Sequence, residues 1–285
     1  PATPISVPPA RHLVSRVTRG KSMKPIMAVV QGASGRMGRE VVAALCREPG
    51  LQLVAAVELD APNGHLALPD GSGRVPFSSN LEQILTGCKP DVLVDFSTAA
   101  ATMSAVRTAV KHGVNLVIGT TGLTAKDLDE IDRLAQAHRV GAVVAPNFAL
   151  GAVLMLHLAK VAARYFDYAE IIEQHHHLKA DAPSGTALAT ARAMADARDE
   201  PFCQPPGQKR QDSRRHQTEG VTIHSVRLPG ILARQEVILG GPGQTLSLKH
   251  DAISRECYMP GVILAVKEVI KRKGLIYGLD SLLGL

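Results

Sequence analysis

Between Glu170 and Ala187 the chain carries three consecutive imidazoles, His175, His176 and His177, then an ammonium at Lys179, then Asp181-Ala-Pro-Ser-Gly-Thr186. An imidazole titrates near neutrality and can take up or release a proton, and a nearby cation can hold an anion or stabilise developing negative charge. The segment that follows, Ala187-Leu-Ala-Thr-Ala-Arg-Ala-Met-Ala195, is a strong helix former, which puts Ser184 or a neighbour near an N-cap. The backbone N–H groups of Gly185 and Thr186 then point out of the helix start, where the dipole favours an anion. This is chemistry for a carboxylate that must also exchange a proton. The competing readings are a solvated loop and a metal-binding histidine tract. Zinc fits poorly, because neighbours on an extended chain face opposite ways and no carboxylate or cysteine at ligand spacing completes a three-ligand set. No metal is expected.

The elements that must position these groups follow from periodicity. Ala169-Glu-Ile-Ile-Glu173 reads as a strand entering the triplet, so strand, cationic loop and helix start converge. Near the front, the apolar strand candidate Pro25–Gln31 runs into Gly32-Ala33-Ser34-Gly35-Arg36-Met37-Gly38 and then a helix pattern, Arg39–Arg47. That is a G-x-x-G-x-x-G form of the dinucleotide fingerprint, with glycines for the tight turn, the approach to pyrophosphate and the packing of helix on strand. The next strand, Leu51–Val57, ends in Glu58, placed to accept from the adenosine ribose hydroxyls. Strands at Asp91–Phe96, Val114–Ile118 and Gly141–Ala145 alternate with helices at Ala99–Lys111 and Lys126–His138. This rhythm implies a parallel sheet covered on both faces. Ligands of such sheets bind beyond the carboxyl ends of the strands, so the 32–37 turn, Glu58, Phe96, Ser97, Gly119, Thr120, Thr121, Ala145, Pro146, Asn147 and Phe148 should face one crevice.

After Phe148 the pattern changes. A helix over Ala152–Arg164 leads to the histidine strand and a helix over Thr186–Ala197. Residues 199–220 lack apolar periodicity and read as a loop. Strands return at Val221–Leu228, Ala233–Leu239 and Thr245–His250, and Pro260–Ile270 reads as a buried helix with proline at its start. The chain of 285 residues can bury two cores, and no apolar run approaches membrane-spanning length. Its four cysteines show neither pairing nor ligand spacing, which suits a reduced compartment. The formal charge of +6 is concentrated in residues 1–24, with five basic side chains and no acidic one. The basicity is therefore a tail and not a nucleic-acid surface. That tail, with Pro1, Pro4, Pro8 and Pro9, reads as disordered, either an organellar transit segment or an extension ahead of a start at Met23 or Met27.

Taken together, Gly32–Arg39, Gly119-Thr-Thr-Gly122, Pro146-Asn-Phe148, Glu170–Lys179, Asp181–Thr186 and His224–Gly230 resemble the 4-hydroxy-tetrahydrodipicolinate reductase family, also called dihydrodipicolinate reductases. The resemblance runs from about Ile26 to the C-terminus, and His-His-x-x-Lys-x-Asp-Ala-Pro-Ser-Gly-Thr is its most specific motif. It implies an α/β fold: an N-terminal Rossmann-type parallel sheet completed by the C-terminal helix, with an inserted α+β, mixed-sheet domain for substrate binding and oligomerisation. The implied division is 25–148 plus 258–285 for the dinucleotide domain and 149–257 for the substrate and tetramerisation domain. The implied reaction is NAD(P)H-dependent reduction of 4-hydroxy-tetrahydrodipicolinate to tetrahydrodipicolinate, a step toward diaminopimelate and lysine. By similarity His175 is the general acid/base, Lys179 the proton donor, and His176, Gly185 and Thr186 substrate contacts. A cytoplasmic homotetramer acting on a small cyclic dicarboxylate is expected, with neither nucleic acid nor membrane as partner.

Such a reaction needs a hydride, positive charge for two carboxylates, and a proton for the electron-rich product; nicotinamide carries the hydride and the protein supplies placement. The cofactor is NADH or NADPH, and Glu58 decides the expectation. Relatives that accept NADPH often place a basic residue after this acid, whereas Leu59 and Asp60 follow here, so NADH is preferred, with Arg36 the evident nearby cation. At position 234 the chain has Arg where relatives commonly have His. A different two-domain dehydrogenase, for an amino acid or a sugar, is the rival enzyme reading, and a dinucleotide sensor the non-enzymatic one. Neither requires His175 and Lys179 together with Ser-Gly-Thr at a helix start.

Overall fold

The computed structural model describes residues 24–61, 64–204 and 215–285. The tail expected over 1–24 therefore lies, apart from Lys24, outside the described residues. The chain forms two sheets. The first is built from β1 (Ile26–Gln31), α1 (Arg36–Arg47), β2 (Leu51–Val57), β3 (Gly64–Ala67), β4 (Arg74–Ser78), α2 (Leu81–Cys88), β5 (Val92–Asp95), α3 (Ala99–Lys111), β6 (Asn115–Ile118), α4 (Ala125–His138) and β7 (Gly141–Val144). Helix α5 (Leu150–Ala162) leads into the second sheet, made from β8 (Tyr168–His175), α6 (Gly185–Ala195), β9 (Arg215–Thr218), β10 (Val221–Arg227), β11 (Ala233–Gly241) and β12 (Gln244–Ala252). The chain then returns to the first sheet through α7 (Met259–Val269), β13 (Gly274–Tyr277) and α8 (Asp280–Leu283).

Strand order in the first sheet is β13-β7-β6-β5-β1-β2-β4-β3, all pairs parallel except β3 with β4. Its central strands are near-continuous apolar runs, as a sheet covered on both faces requires. In β1, Ala28 and Val30 join one core layer with α1 and α7, while Val29 joins the other with residues of α2, α3 and α4. Two stretches of the first sheet escape the sequence reading. Strand β13 pairs with β7, so the C-terminal segment contributes an edge strand as well as a helix. Residues 64–88 add β3, β4 and α2, with the short antiparallel β3 at the far edge.

The second sheet is mixed, ordered β12-β11-β8-β10-β9, with β8 parallel to β10 and antiparallel to β11. One face, through Ile171, Ile223, Val237 and Leu239, packs on Ala159 of α5 and on Ala187, Ala191 and Met194 of α6. On the other face Ile172, Val226 and Ile238 stay partly exposed. The expected loop over 199–220 is corrected by β9, which pairs antiparallel with β10 at the sheet edge. His216 and Gln217 of β9 are exposed, so this strand buries too little to leave an apolar alternation in the sequence. The turn expected at 240–243 is tighter than its glycines suggest: β11 and β12 pair as far as Gly241 with Gln244. No helix among the described residues is long and apolar enough to cross a membrane.

Candidate active site

The end of β8 delivers the chemistry. Alternation along the strand puts Ile171, Glu173 and His175 on the inner face, and the parallel register sets Ser225 beside Glu173 and Arg227 beside His175. Glu173 is 0% exposed. It accepts from Arg227 through two nitrogens, Nη1 at 2.9 Å and Nη2 at 2.8 Å, from the Ser184 N–H at 3.3 Å, and lies 2.5 Å from His175 Nδ1. Burial pushes its carboxyl upward, but the hydrogen bonds from His175, Arg227 and Ser225 outweigh it and hold the group at about 2. Glu173 is therefore an anion at neutral pH. With Nδ1 occupied, Nε2 is the His175 nitrogen left for a ligand.

The loop beyond β8 is held locally. The Lys179 N–H donates to the His176 carbonyl at 3.1 Å, and the Lys179 ammonium pairs with Asp181 at 2.7 Å. Ser184 caps α6 by accepting from the Ala187 N–H at 3.2 Å. That bond leaves the N–H groups of Gly185 and Thr186 without a partner inside the helix. A Cβ placed on Gly185 would meet no protein atom within 4 Å, so the space above the helix start stays open for a ligand.

From the first sheet comes the glycine turn. Gly32 has φ of +75°, and a Cβ there would lie 2.6 Å from the Phe96 carbonyl oxygen. A Cβ on Gly38 would lie 2.0 Å from the Gly32 carbonyl oxygen. Helix α1 begins at Gly35 with no side-chain cap and no acidic residue in its first turn, so its amides are available to an anion. Glu58, at the end of β2, accepts from the Ser34 N–H at 3.0 Å and the Leu59 N–H at 3.1 Å. Leu59 is 82% exposed.

A cleft of about 350 Å³ joins the two sheets. Of the residues singled out in the sequence, Arg36, Met37, Phe96, Gly119, Thr121, Pro146, Asn147, Phe148, His175, His176, Lys179 and Thr186 line it. Gly32, Ala33, Ser34, Gly35 and Glu58 form the adjoining turn, and Gly185 is exposed at the α6 start without lining the cleft. Thr120 and Ala145 are buried; the Thr120 hydroxyl accepts from the Ser97 N–H at 2.9 Å. Phe96 and Phe148 stack at 5.6 Å in a tilted pair, and a side chain on Gly119 would collide with the Phe96 ring.

The cleft is cationic. His176 is held below its ordinary range by desolvation, then by the charges of Arg36, His175, Arg255 and Lys179. Arg36 lines the cleft, and Arg39 is tied to the turn that holds Glu58, its Nε donating to the Ser34 carbonyl at 2.9 Å. The sequence reading also passed over Glu173, Arg227, Gln235, His250 and Arg255. Glu173 and His175 stand two apart on a strand, a spacing that places them on one face. Arg227, Gln235 and Arg255 gave no comparable sign, because their neighbours here are set by strand pairing and by the chain's return to the first sheet. At position 234, Arg pairs with Asp251 on β12.

Comparison with known proteins shows the family of the chain. Residues 26–148 match the family described as Dihydrodipicolinate reductase, N-terminus, and residues 151–283 the one described as Dihydrodipicolinate reductase, C-terminus. The chain is 55% identical over 263 residues to a 4-hydroxy-tetrahydrodipicolinate reductase of Dehalococcoides mccartyi, covering 92% of this chain and 100% of that one. It is 48% identical to the protein so named from Moorella thermoacetica, covering 90% and 98%. A dipicolinate-bound dihydrodipicolinate reductase from Paenisporosarcina sp. TG-14 superposes with a TM-score of 0.79 at 39% identity, over 90% of this chain and 99% of that one. An amine dehydrogenase from Mycobacterium smegmatis, at 18% identity and a TM-score of 0.61, shares the fold alone.

Proposed function

The chain belongs to the dihydrodipicolinate reductase family, and from that premise we propose how its residues carry out the reduction of 4-hydroxy-tetrahydrodipicolinate to tetrahydrodipicolinate, a step toward diaminopimelate and lysine. The observation that carries the reading is the convergence, in one cleft, of His175, Lys179 and the α6 start with the glycine turn of α1. A pyridine nucleotide fits the turn, because Gly32 and Gly38 leave no room for a Cβ and the uncapped α1 start offers amides to a pyrophosphate. Gly32–Met37 would hold the diphosphate and Glu58 the adenosine ribose. Gly119–Thr121 and Ala145–Phe148 would border the nicotinamide side, Thr120 and Ala145 through backbone only. When bound, the cofactor supplies a hydride.

The protein's own residues do the rest. His176, Thr186 and the N–H groups of Gly185 and Thr186 receive the substrate carboxylates. Lys179, released from its partly exposed pair with Asp181, stabilises negative charge or donates a proton, and His175 Nε2 exchanges the proton that completes reduction. The division into a dinucleotide unit, 25–148 plus 258–285, and a substrate unit, 149–257, is supported by the return of α7 and β13 to the first sheet. A homotetramer built on the second sheet is supported by the partly exposed apolar residues on its outer face. Four unpaired cysteines suit a cytoplasmic setting.

The reaction is tested by loss of reduced nicotinamide absorbance with the product of the preceding synthase as substrate, in parallel with NADH and NADPH. No turnover with either cofactor overturns the reading. Pyridine-2,6-dicarboxylate, planar and doubly anionic, is expected to raise the apparent KM without lowering kcat; absence of competition in an otherwise active enzyme removes the dicarboxylate site.

NADH is the preferred cofactor in this reading. A 2′-phosphate would stand against Glu58, and repulsion between partly exposed charges amounts to about 1–2 kcal/mol, so the preference is roughly tens-fold. Arg39, held by the carbonyl of Ser34, the same residue whose N–H Glu58 accepts, is the cation that opposes it. Leu59→Arg is expected to raise kcat/KM for NADPH relative to NADH. An unchanged ratio would show that position 59 does not face the ribose.

A further inference from the structure

Glu173 has no place in the steps above, yet it is the most thoroughly engaged polar side chain in the site. Burying a lone carboxylate costs several kcal/mol, and a guanidinium in bidentate contact is the usual way to offset that cost. Arg227 fills that role, and its Nη2 also donates to the Asp181 carbonyl at 2.6 Å. The remaining acceptor capacity of Glu173 is given to His175 Nδ1, the Ser184 N–H and Ser225. One buried ion pair thus touches the acid/base imidazole on β8, the loop carrying the Lys179–Asp181 pair, and the capping residue of the anion-binding helix.

A purely structural ion pair would not need to meet the imidazole at all. The other ionisable side chains lining the cleft, apart from Tyr258, are cationic or imidazole: Arg36, His176, Lys179, Arg234, His250 and Arg255. The described structure therefore offers His175 a single carboxylate partner, on its own strand. Glu173 also restricts the ring, since an Nδ1–H directed at the carboxylate leaves Nε2 toward the substrate.

We propose that Glu173, pinned by Arg227, is a positioning residue that fixes the tautomer and orientation of His175 and couples that imidazole to the start of α6. The inference rests on His175 being the acid/base of the proposed reaction, so His175→Gln is measured beside it. Glu173→Gln keeps the side-chain size and removes the charge. Its expected kcat is lower by about tenfold to a hundredfold, with the Kd for NADH, read by nucleotide fluorescence, changed by no more than about twofold. In a His175→Gln background the same substitution should cost almost nothing, since its effect passes through that ring.

If Glu173→Gln alone proves unstable, Glu173→Gln with Arg227→Gln removes both charges together and carries the same comparisons. Equal losses from Glu173→Gln with and without His175, or wild-type kcat in the charge-free double variant, would each overturn the proposal. If His175→Gln itself retains wild-type turnover, the acid/base reading has failed and the positioning role falls with it. A large loss in His175→Gln with none in Glu173→Gln removes the positioning role alone.

Discussion

Replacing His175 by Gln is expected to lower kcat by on the order of a hundredfold or more, the usual scale for a positioned acid/base, while NADH binding survives. The side chain reaches into the cleft from the last position of β8, with Nδ1 tied to Glu173. Glutamine fills much of the same space and can still hydrogen-bond, but it cannot exchange a proton near neutrality. Lys179→Ala should cost a similar factor. Its ammonium is drawn from a partly exposed pair with Asp181, worth about 1 kcal/mol, and so is available to a substrate carboxylate or a developing charge. Steady-state kinetics at saturating substrate, with the cofactor Kd measured separately, test both. Near-wild-type turnover in either variant would remove that residue from the chemistry.

Gly38→Ala is expected to weaken NADH binding by at least about tenfold, and to lower the Tm, at the ~1–3 kcal/mol scale of overpacking. The new Cβ would sit 2.0 Å from the Gly32 carbonyl oxygen and 2.8 Å from Ala33 Cα, both backbone atoms of the turn itself. The clash cannot be relieved by a side-chain rotation, so α1 must move away from β1 or the turn must open. Either change displaces the amides that a diphosphate would meet. Gly35→Ala should be milder, its nearest contact being 3.1 Å, and Gly185→Ala should leave the Tm unchanged because nothing lies within 4 Å. Thermal melts and cofactor titrations on the three variants give the ranking. A Gly38→Ala protein indistinguishable from wild type would show that the helix and turn do not pack as described.

The sequence alone determined the parts of this protein whose chemistry is local. A glycine turn between an apolar strand and a helix, an acid closing the next strand, and a serine cap before an alanine-rich helix are legible because each depends on neighbours a few residues away. The family motifs added roles for His175 and Lys179 by the same short-range signal. The tertiary structure decided what depends on pairing between distant segments. Strand β9 was hidden because an exposed edge strand has no buried alternation, and β13 because four residues beside a long helix carry little pattern of their own. Arg36 was assigned toward the ribose from its place in the turn, whereas the direction in which α1 projects it toward His176 comes from packing of the two sheets. The pairing of Glu173 with Arg227 joins positions 54 residues apart. It exists because β8 and β10 lie parallel in one register, with Arg227 beside His175 and on the same face as Glu173, and periodicity fixes which face a residue occupies but not which strand lies next to it.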